Sequence, residues 1–308
     1  MKVPDTKGLF ALKKLEHLGG SSTKLDEMFS REREMLKRFG DQHEHIIRLL
    51  ATFTYQGDRY FLFPWANCDL LHFWENTTPR QDHETALWIA EQCLQLVNAL
   101  HEIHYLRANT ADLKKFGRHG DIKSENVLMF PPPLGTPGHG KLVLADLGFS
   151  SVHREISISA VSGSKVQSTL QYRPPELAIQ GARVTRSFDI WTLGCLFLDM
   201  CTWWLGGWDL VKEFQEERFE RGKPPDGDYT TEKKSDVYFE VRRYRITPVE
   251  DVKVKGSVKL VSLLPCAYWI RGNLALIELP LTSGSNGSES LRIVASISWT
   301  FWGLLRRR

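Results

Sequence analysis

Cysteine is scarce and scattered in this chain: Cys68, Cys93, Cys195, Cys201 and Cys266 are an odd five among 308 residues. They form neither a disulfide framework nor a C-x-x-C pair, which fits a reducing, intracellular compartment. An excess of one charge sign is also lacking. Forty Lys+Arg against 37 Asp+Glu leave a net charge of +3, too mild to argue for nucleic acid or a membrane surface. Long apolar runs are missing as well. The run "IVASISWTFWGLL" (293–305) has 13 residues before "RRR", short of the roughly 20 that a transmembrane helix needs. A buried segment is expected there, with an interfacial anchor as the alternative and no transmembrane span. The N-terminus "MKVPDTKGLFALKKLEH" holds no apolar core of signal-peptide length, so secretion is not expected. There is no internal repeat.

What is present is ordinary for a globular chain, with 42% hydrophobic and 25% charged residues, enough for one large or two modest cores. "LFALKKLEH" (9–17) has strand character. "LDEMFSREREMLKRF" (25–39) places Leu25, Met28, Phe29, Glu32, Leu36 and Phe39 on one helical stripe. Glu32 is an acid within that apolar stripe. It either borders the face or is paired, because an unpaired buried charge is costly. "HIIRLLATFTYQGDRYFLFPWA" (45–66) reads as two strands around the turn "QGD". "HETALWIAEQCLQLVNALHEIH" (83–104) is a long amphipathic helix, and "RANTADLKKFGRHG" interrupts it. The short buried strands "VLMF" and "KLVLAD" flank the turn "PPPLGTPGHG". "RSFDIWTLGCLFLDMCTWWLGGW" (186–208) is apolar nearly all round and reads as a buried central helix. Strands with one helix come first and mostly helices follow, which predicts an α+β chain of two unequal lobes.

The polar run "HGDIKSEN" (119–126) puts a histidine, an aspartate, a lysine and an asparagine together just before "VLMF". With "FALK" (10–13), Glu32, "ADLG" (145–148), "YRPPE" (172–176) and "DIWTLGC" (189–195), it resembles the signature set of eukaryotic-type protein kinases in chain order. The likeness covers roughly residues 8–215, and "GRHGDIK", "TLQYRPPE" and "DIWTLGC" look most like fungal protein kinase domains.

The resemblance implies a bilobal α+β fold and transfer of the ATP γ-phosphate with Mg²⁺ to a protein Ser/Thr hydroxyl. Lys13 would bind the α/β-phosphates and Glu32 would hold that lysine. Asp121 would accept the substrate hydroxyl proton, and Lys123 would neutralise the γ-phosphate. Asn126 and Asp146 would bind the metal through oxygen. Phe63 would gate the pocket, with Pro64, Trp65 and Ala66 hinging the lobes beside adenine. Thr169, seven residues before Glu176, would support Asp121, and with Lys123 it points to the Ser/Thr type. His119 is expected to be structural, stacked on Leu147 with Leu36 and Leu49.

The resemblance also implies boundaries: a partial small lobe and hinge over 1–66, a large lobe over 67–259, and a divergent tail over 260–308. Three departures qualify it. Gly120 stands where most protein kinases have a phosphate-pairing arginine, so the serine-rich segment 149–168 is expected to need no phosphorylation. Only 12 residues precede Lys13 and they hold no G-x-G-x-x-G, so the chain is expected to start inside the small lobe. "GTPGHG" (135–140) is expected to be a turn rather than that missing lid. The tail carries no arginine suited to Glu176. Two other functions therefore compete: a catalytically impaired kinase-fold binding or scaffold protein, and a small-molecule phosphotransferase with an H-G-D loop. "HEH" (43–45) and "HEIH" (101–104) could suggest metal ligands, but no Cys/His cluster supports them.

Overall fold

The computed structural model describes residues 8–15, 22–105, 115–133, 138–147, 151–154, 161–162, 171–177, 183–219, 229–231, 238–244 and 250–254. In chain order the elements are β1 (Phe10–Leu15), α1 (Ser22–Phe39), β2 (Ala51–Tyr55), β3 (Asp58–Pro64), β4 (Cys68–Asp69), α2 (Leu70–Asn76), α3 (His83–His104) and β5 (Lys115–Arg118). Then follow β6 (Val127–Phe130), β7 (Lys141–Leu144), β8 (Ser151–Arg154), β9 (Val161–Ser162), β10 (Arg183–Val184), α4 (Ser187–Phe219), β11 (Tyr229–Thr231), β12 (Phe239–Tyr244) and β13 (Glu250–Val254). The fold is α+β. It divides into two compact units, one of Met1–Asn76 with Leu94–Ile158, the other of Thr77–Cys93 with Ser159–Arg308.

The first unit is built on an antiparallel sheet of order β1-β3-β2. Gln56 and Gly57 close the β2–β3 hairpin with φ of 50° and 87°, the pair of positive values that matches the twist of a two-residue turn. On one face of the sheet, Phe61 is fully buried and its ring lies 4.8 Å from Phe29 of α1. Leu25, Glu32, Leu36 and Phe39 are buried with it, as the stripe predicts. Met28 is the exception at 54% exposed. It lies on the edge of the stripe, where a small rotation about the helix axis turns it to solvent, whereas Met35, two turns on, is buried. Arg59 of β3 donates to Asp26 of α1 from Nε at 3.1 Å and Nη2 at 2.6 Å, fixing the helix against the sheet.

A second sheet, β4-β6-β7, carries the chain toward Asp146. The segment after α1 clips onto β7: Leu144 N–H donates to the His45 carbonyl and Ile47 N–H to the Leu144 carbonyl, both at 2.8 Å. His45 Nδ1–H donates to the Leu142 carbonyl at 2.6 Å. Burial pulls the His45 imidazole below its ordinary pKa, only partly offset by that carbonyl, so the neutral ring serves as a strap. Among the described residues no group of three or more His, Cys, Asp or Glu is arranged to hold a metal ion.

Where an uninterrupted break was expected after α3, Lys115–Arg118 instead forms β5, paired with β8. Gly117 makes this possible. A Cβ there would lie 2.1 Å from the Ile103 carbonyl oxygen and 2.9 Å from the Phe39 ring, so only glycine lets β5 approach α3 so closely. Within "GTPGHG", Gly138 and Gly140 have φ of 125° and 86° and sit between β6 and β7, so the described part is a turn.

In the second unit, Asp82 caps α3 by accepting from Thr85 N–H at 2.8 Å. The central helix α4 extends further than the apolar run, to Phe219, and kinks at Gly207, whose φ is 70° and ψ −165°. Leu193, Cys195, Leu196, Met200, Cys201 and Trp203 are all buried. Trp203 and Trp204 donate through Nε1 to the carbonyls of Thr77 at 3.2 Å and Arg80 at 3.1 Å. Among the described residues no helix is long and apolar enough to cross a membrane. The run 293–305 and the rest of the expected tail, 260–308, lie outside the described residues, as does most of 149–168.

Candidate active site

The expected ionic and metal-binding residues that the structure describes, Lys13, Glu32, Asp121, Lys123, Asn126 and Asp146, fall into two groups within the first unit. In the first, β1 presents Lys13 with its ammonium 2.8 Å from Glu32 Oε1 and 2.8 Å from Asp146 Oδ1. The alternation of the strand explains this: Lys13 pairs with Phe61 in the ladder and shares its face, the face that α1 covers. Glu32 is 7% exposed at its side chain, whereas Lys13 and Asp146 keep 37% and 33%. Burial pulls the Lys13 ammonium down, but attraction to Glu32 and Asp146 outweighs it and leaves the pKa above its ordinary value. Burial pushes the Glu32 carboxyl up, and Lys13 offsets only part of that. The acid in the apolar stripe is therefore a paired one.

The second group is the loop after β5. Asn126 donates both its amide hydrogens to Asp121, to the carbonyl and to Oδ2, at 2.8 Å each. Lys123 Nζ lies 3.3 Å from the same Oδ2. The carboxylate is thus aimed by an amide and an ammonium three residues apart, brought together by the single 3-10 turn Ser124–Asn126. The two groups are tied by backbone: Ala145 N–H donates to the Asn126 carbonyl at 2.8 Å, one residue before Asp146.

Two backbone conformations shape this loop. Asp146 has φ of 59°, uncommon for a residue with a side chain and a mark of a functional constraint. Gly120 has φ of 88°, which glycine adopts without strain. His119 is fully buried, with Nε2 3.0 Å from the Ala145 carbonyl and Nδ1 3.4 Å from the Asp121 N–H. That assigns the hydrogen to Nε2 and the lone pair to Nδ1, so both ring nitrogens are occupied by backbone. This arrangement suits a strut between the two groups better than a base. Leu36 and Leu147 are buried and Leu49 is half-buried.

The chemistry of the donors fits a hard divalent cation. With both N–H groups of Asn126 turned to Asp121, its Oδ1 is the atom directed elsewhere, and Asp146 adds carboxylate oxygen. Phe63 and Pro64 close β3 opposite Ala11 and Phe10. Trp65 is 40% exposed, and Ala66 follows before Asn67 N–H bonds the Met129 carbonyl at 2.9 Å. Thr169 lies outside the described residues. Glu176 accepts from Ser187 Oγ at 3.4 Å. The sequence does not single out Asp199, a further buried acid in α4, although the signal is the same as for Glu32: a carboxylate inside an apolar helix.

A family model described as protein kinase domain matches residues 1–205. Serine/threonine-protein kinase srb10 of Schizosaccharomyces pombe is 26% identical over 205 residues, covering 63% of this chain and 50% of that protein. Serine/threonine-protein kinase SSN3 of Coccidioides immitis is 28% identical over 159 residues, 51% of this chain and 31% of the relative. Cyclin-dependent kinase 8 of Caenorhabditis elegans is 27% identical over 199 residues, 63% and 31% respectively. The chain thus spans between about a third and a half of the length of these curated relatives.

Proposed function

The chain belongs to the protein kinase domain family, and from that premise we propose that it is an ATP-dependent protein serine/threonine kinase. The observation that carries the reading is the ammonium of Lys13 held at 2.8 Å by Glu32 and by Asp146. Three distant segments converge there on one cation, which is positioned to meet polyphosphate. In this reading Lys13 binds the α- and β-phosphates of ATP and Glu32 keeps it in place. Phe63 gates the nucleotide pocket and Pro64, Trp65 and Ala66 border adenine. Asn126 Oδ1 and Asp146 hold Mg²⁺, which supplies neutralisation of phosphate charge.

Asp121 accepts the hydrogen of a Ser or Thr hydroxyl as that oxygen bonds to the γ-phosphorus and the bond to the ADP oxygen breaks. Its Oδ2 is oriented for this by Asn126 and Lys123, and Lys123 also meets the charge on the transferring group. Thr169 is assigned by resemblance to support Asp121. The lobe boundaries 1–66, 67–259 and 260–308 belong to the same proposal, as does an intracellular setting, cytoplasmic or nuclear, supported by the cysteine usage. The serine/threonine type is supported by Lys123 and by the names of the relatives.

Gly120 keeps a small-molecule acceptor in view, but "YRPPE" and "DIWTLGC" favour a protein. The test is to incubate the chain with Mg²⁺ and radiolabelled ATP beside casein and an aminoglycoside together. Label on casein, recovered as phosphoserine or phosphothreonine, is expected. Label on the aminoglycoside would redirect the reading to a small-molecule kinase, and nucleotide binding without transfer would make the chain a binding protein.

A further inference from the structure

The motif "HEH" (43–45) follows α1 and runs against β7. His43 is half-buried and His45 is 4% exposed. His43 Nδ1 accepts from the His45 N–H at 3.2 Å, and His45 in turn donates from Nδ1 to the Leu142 carbonyl at 2.6 Å. The backbone pairs with Leu144 through the His45 carbonyl and the Ile47 N–H, at 2.8 Å each. The two imidazole rings lie 5.5 Å apart. One connected run of bonds therefore leads from His43 to β7, which ends two residues before Asp146.

These bonds restrict the protonation states that the run can use. An acceptor at His43 Nδ1 requires a lone pair there, so the ring carries its hydrogen on Nε2 and is neutral. A second proton would have to go to Nδ1, where it would face the His45 N–H, and the bond would be lost. His45 could keep its bond to Leu142 as a cation, so its constraint is burial of that charge beside Lys141 and His43. Among the described residues, the charged groups facing the pair are Glu44, Lys141 of β7 and, for His43, Glu102 of α3. Glu44 is held by Lys141 Nζ at 3.2 Å, and Glu102 Oε1 lies 3.9 Å from His101 Nδ1. The two acids favour protonated rings, but burial is the larger influence and pulls both imidazoles below their ordinary value.

We propose that His43 and His45 form a pH-sensitive latch: as neutral rings they clamp β7 to the segment after α1, and on taking up protons in mild acid they release it. Because β7 leads into Asp146, whose Oδ1 lies 2.8 Å from Lys13 Nζ, opening the latch slows phosphotransfer without a change in any group of the site. That last step rests on the kinase reading, whereas the latch itself does not. By linkage, a histidine whose pKa is depressed in the closed form binds its proton more readily once the latch opens. The closed form is therefore fully favoured above the ordinary imidazole pKa of about 6.5 and loses ground as pH falls through the depressed value.

Hydrogen exchange of the full chain at pH 7.5 and 5.5, corrected for the intrinsic rate at each pH, reads the latch directly. Protection of the His45, Ile47 and Leu144 amides should fall about threefold to tenfold in acid, while amides of the β2–β3 hairpin stay within about twofold. His43→Asn is the diagnostic variant, because an asparagine oxygen accepts from the N–H two residues on and does not titrate. With His45→Gln added, whose amide can donate to the Leu142 carbonyl, the acid-induced loss should shrink to within about twofold. Phosphotransfer to casein by the double variant relative to wild type should rise about threefold or more between pH 7.5 and 5.5, and the titration of ATP itself cancels in that ratio. Wild-type protection that does not change with pH overturns the latch, as does an acid-induced loss that the double variant keeps in full. Lost protection with an unchanged activity ratio overturns the link to phosphotransfer. If the double variant does not fold, His43→Asn alone carries the test, and an undiminished acid-induced loss there overturns the proposal. A wild-type chain without phosphotransfer at either pH refutes the kinase reading, while exchange still decides the latch.

Discussion

Replacing Lys13 by methionine should destabilise the fold in a pH-dependent way, and the structure sets the size. Lys13 makes two charged contacts of 2.8 Å, each of a kind worth about 1.5–3 kcal/mol when buried. Lys13 and Asp146 keep a third or more of their side-chain exposure, so the Asp146 contact is discounted to about 0.5–1 kcal/mol. The Glu32 end is different, at 7% exposed. Methionine leaves that carboxylate buried without its cation, a loss of about 3–5 kcal/mol if the charge had to stay. It need not stay. Burial already pushes the Glu32 carboxyl up, and removing Lys13 removes the influence that lowers it.

The variant can therefore take up a proton at a cost of about 1.4 kcal/mol for each pH unit above the raised pKa. A carboxyl whose folded pKa is raised binds more protons folded than unfolded, so its effect on stability becomes unfavourable as pH rises from the ordinary carboxylate range through the folded pKa. The difference between wild type and Lys13→Met, from urea unfolding at pH 5, 6, 7 and 8, should reach about 2–3 kcal/mol at pH 7 and shrink toward pH 5. A difference below about 0.5 kcal/mol, or one that does not change with pH, would refute the reasoning. The raised Lys13 pKa acts in another window, since its own contribution in the wild type is present below the ordinary lysine pKa and lost only as pH climbs through the raised value.

Three other outcomes follow from single contacts. Gly120→Arg places a side chain at φ of 88°, a strain of about 1–2 kcal/mol, and should lower kcat about tenfold if the loop shifts to relieve it. ATP affinity measured by calorimetry should hold, and a kcat at or above wild type would contradict the conformational role of glycine. Gly117→Ala drives a Cβ to 2.1 Å from the Ile103 carbonyl and should lower stability by about 1–3 kcal/mol in urea; an unchanged midpoint would mean that β5 does not pack as described. Phe61→Ala empties a fully buried site against Phe29 and should remove about 3–5 kcal/mol, with loss below about 1 kcal/mol as the contrary result.

Much of the site was legible because its residues announce themselves locally. Glu32 stands out as an acid on an apolar stripe, and "HGDIKSEN" concentrates polar chemistry before a buried strand. The hairpin at Gln56–Gly57 and helices α1 and α3 follow from periodicity. What was not legible depends on contacts distant in sequence. No local pattern shows that Lys115–Arg118 pairs with Ser151–Arg154, or that His45 straps the strand leading to Asp146. Met28 and Met35 share one edge of the same helix, and only the packing distinguishes them. Asp199 could have been noticed by the reasoning that found Glu32, but its hydrogen-bond partners Tyr172, Arg218 and Tyr238 could not have been matched to it, being 27, 19 and 39 residues away. Gly120 read as a missing arginine, and its positive φ gives a conformational reason for the glycine.

The central claim is that Asp121 is the group that accepts the hydroxyl hydrogen while Lys13 and Asp146 hold the nucleotide. Asp121→Asn keeps the size of the side chain and a carbonyl oxygen to face Asn126 and Lys123, but removes the basic carboxylate. Phosphotransfer to protein from Mg-ATP, followed beside calorimetric binding of ATP, tests this directly. Transfer should fall on the order of a hundredfold or more with ATP affinity within about threefold, because nucleotide contacts are assigned elsewhere. Transfer near the wild-type rate in Asp121→Asn would contradict the account.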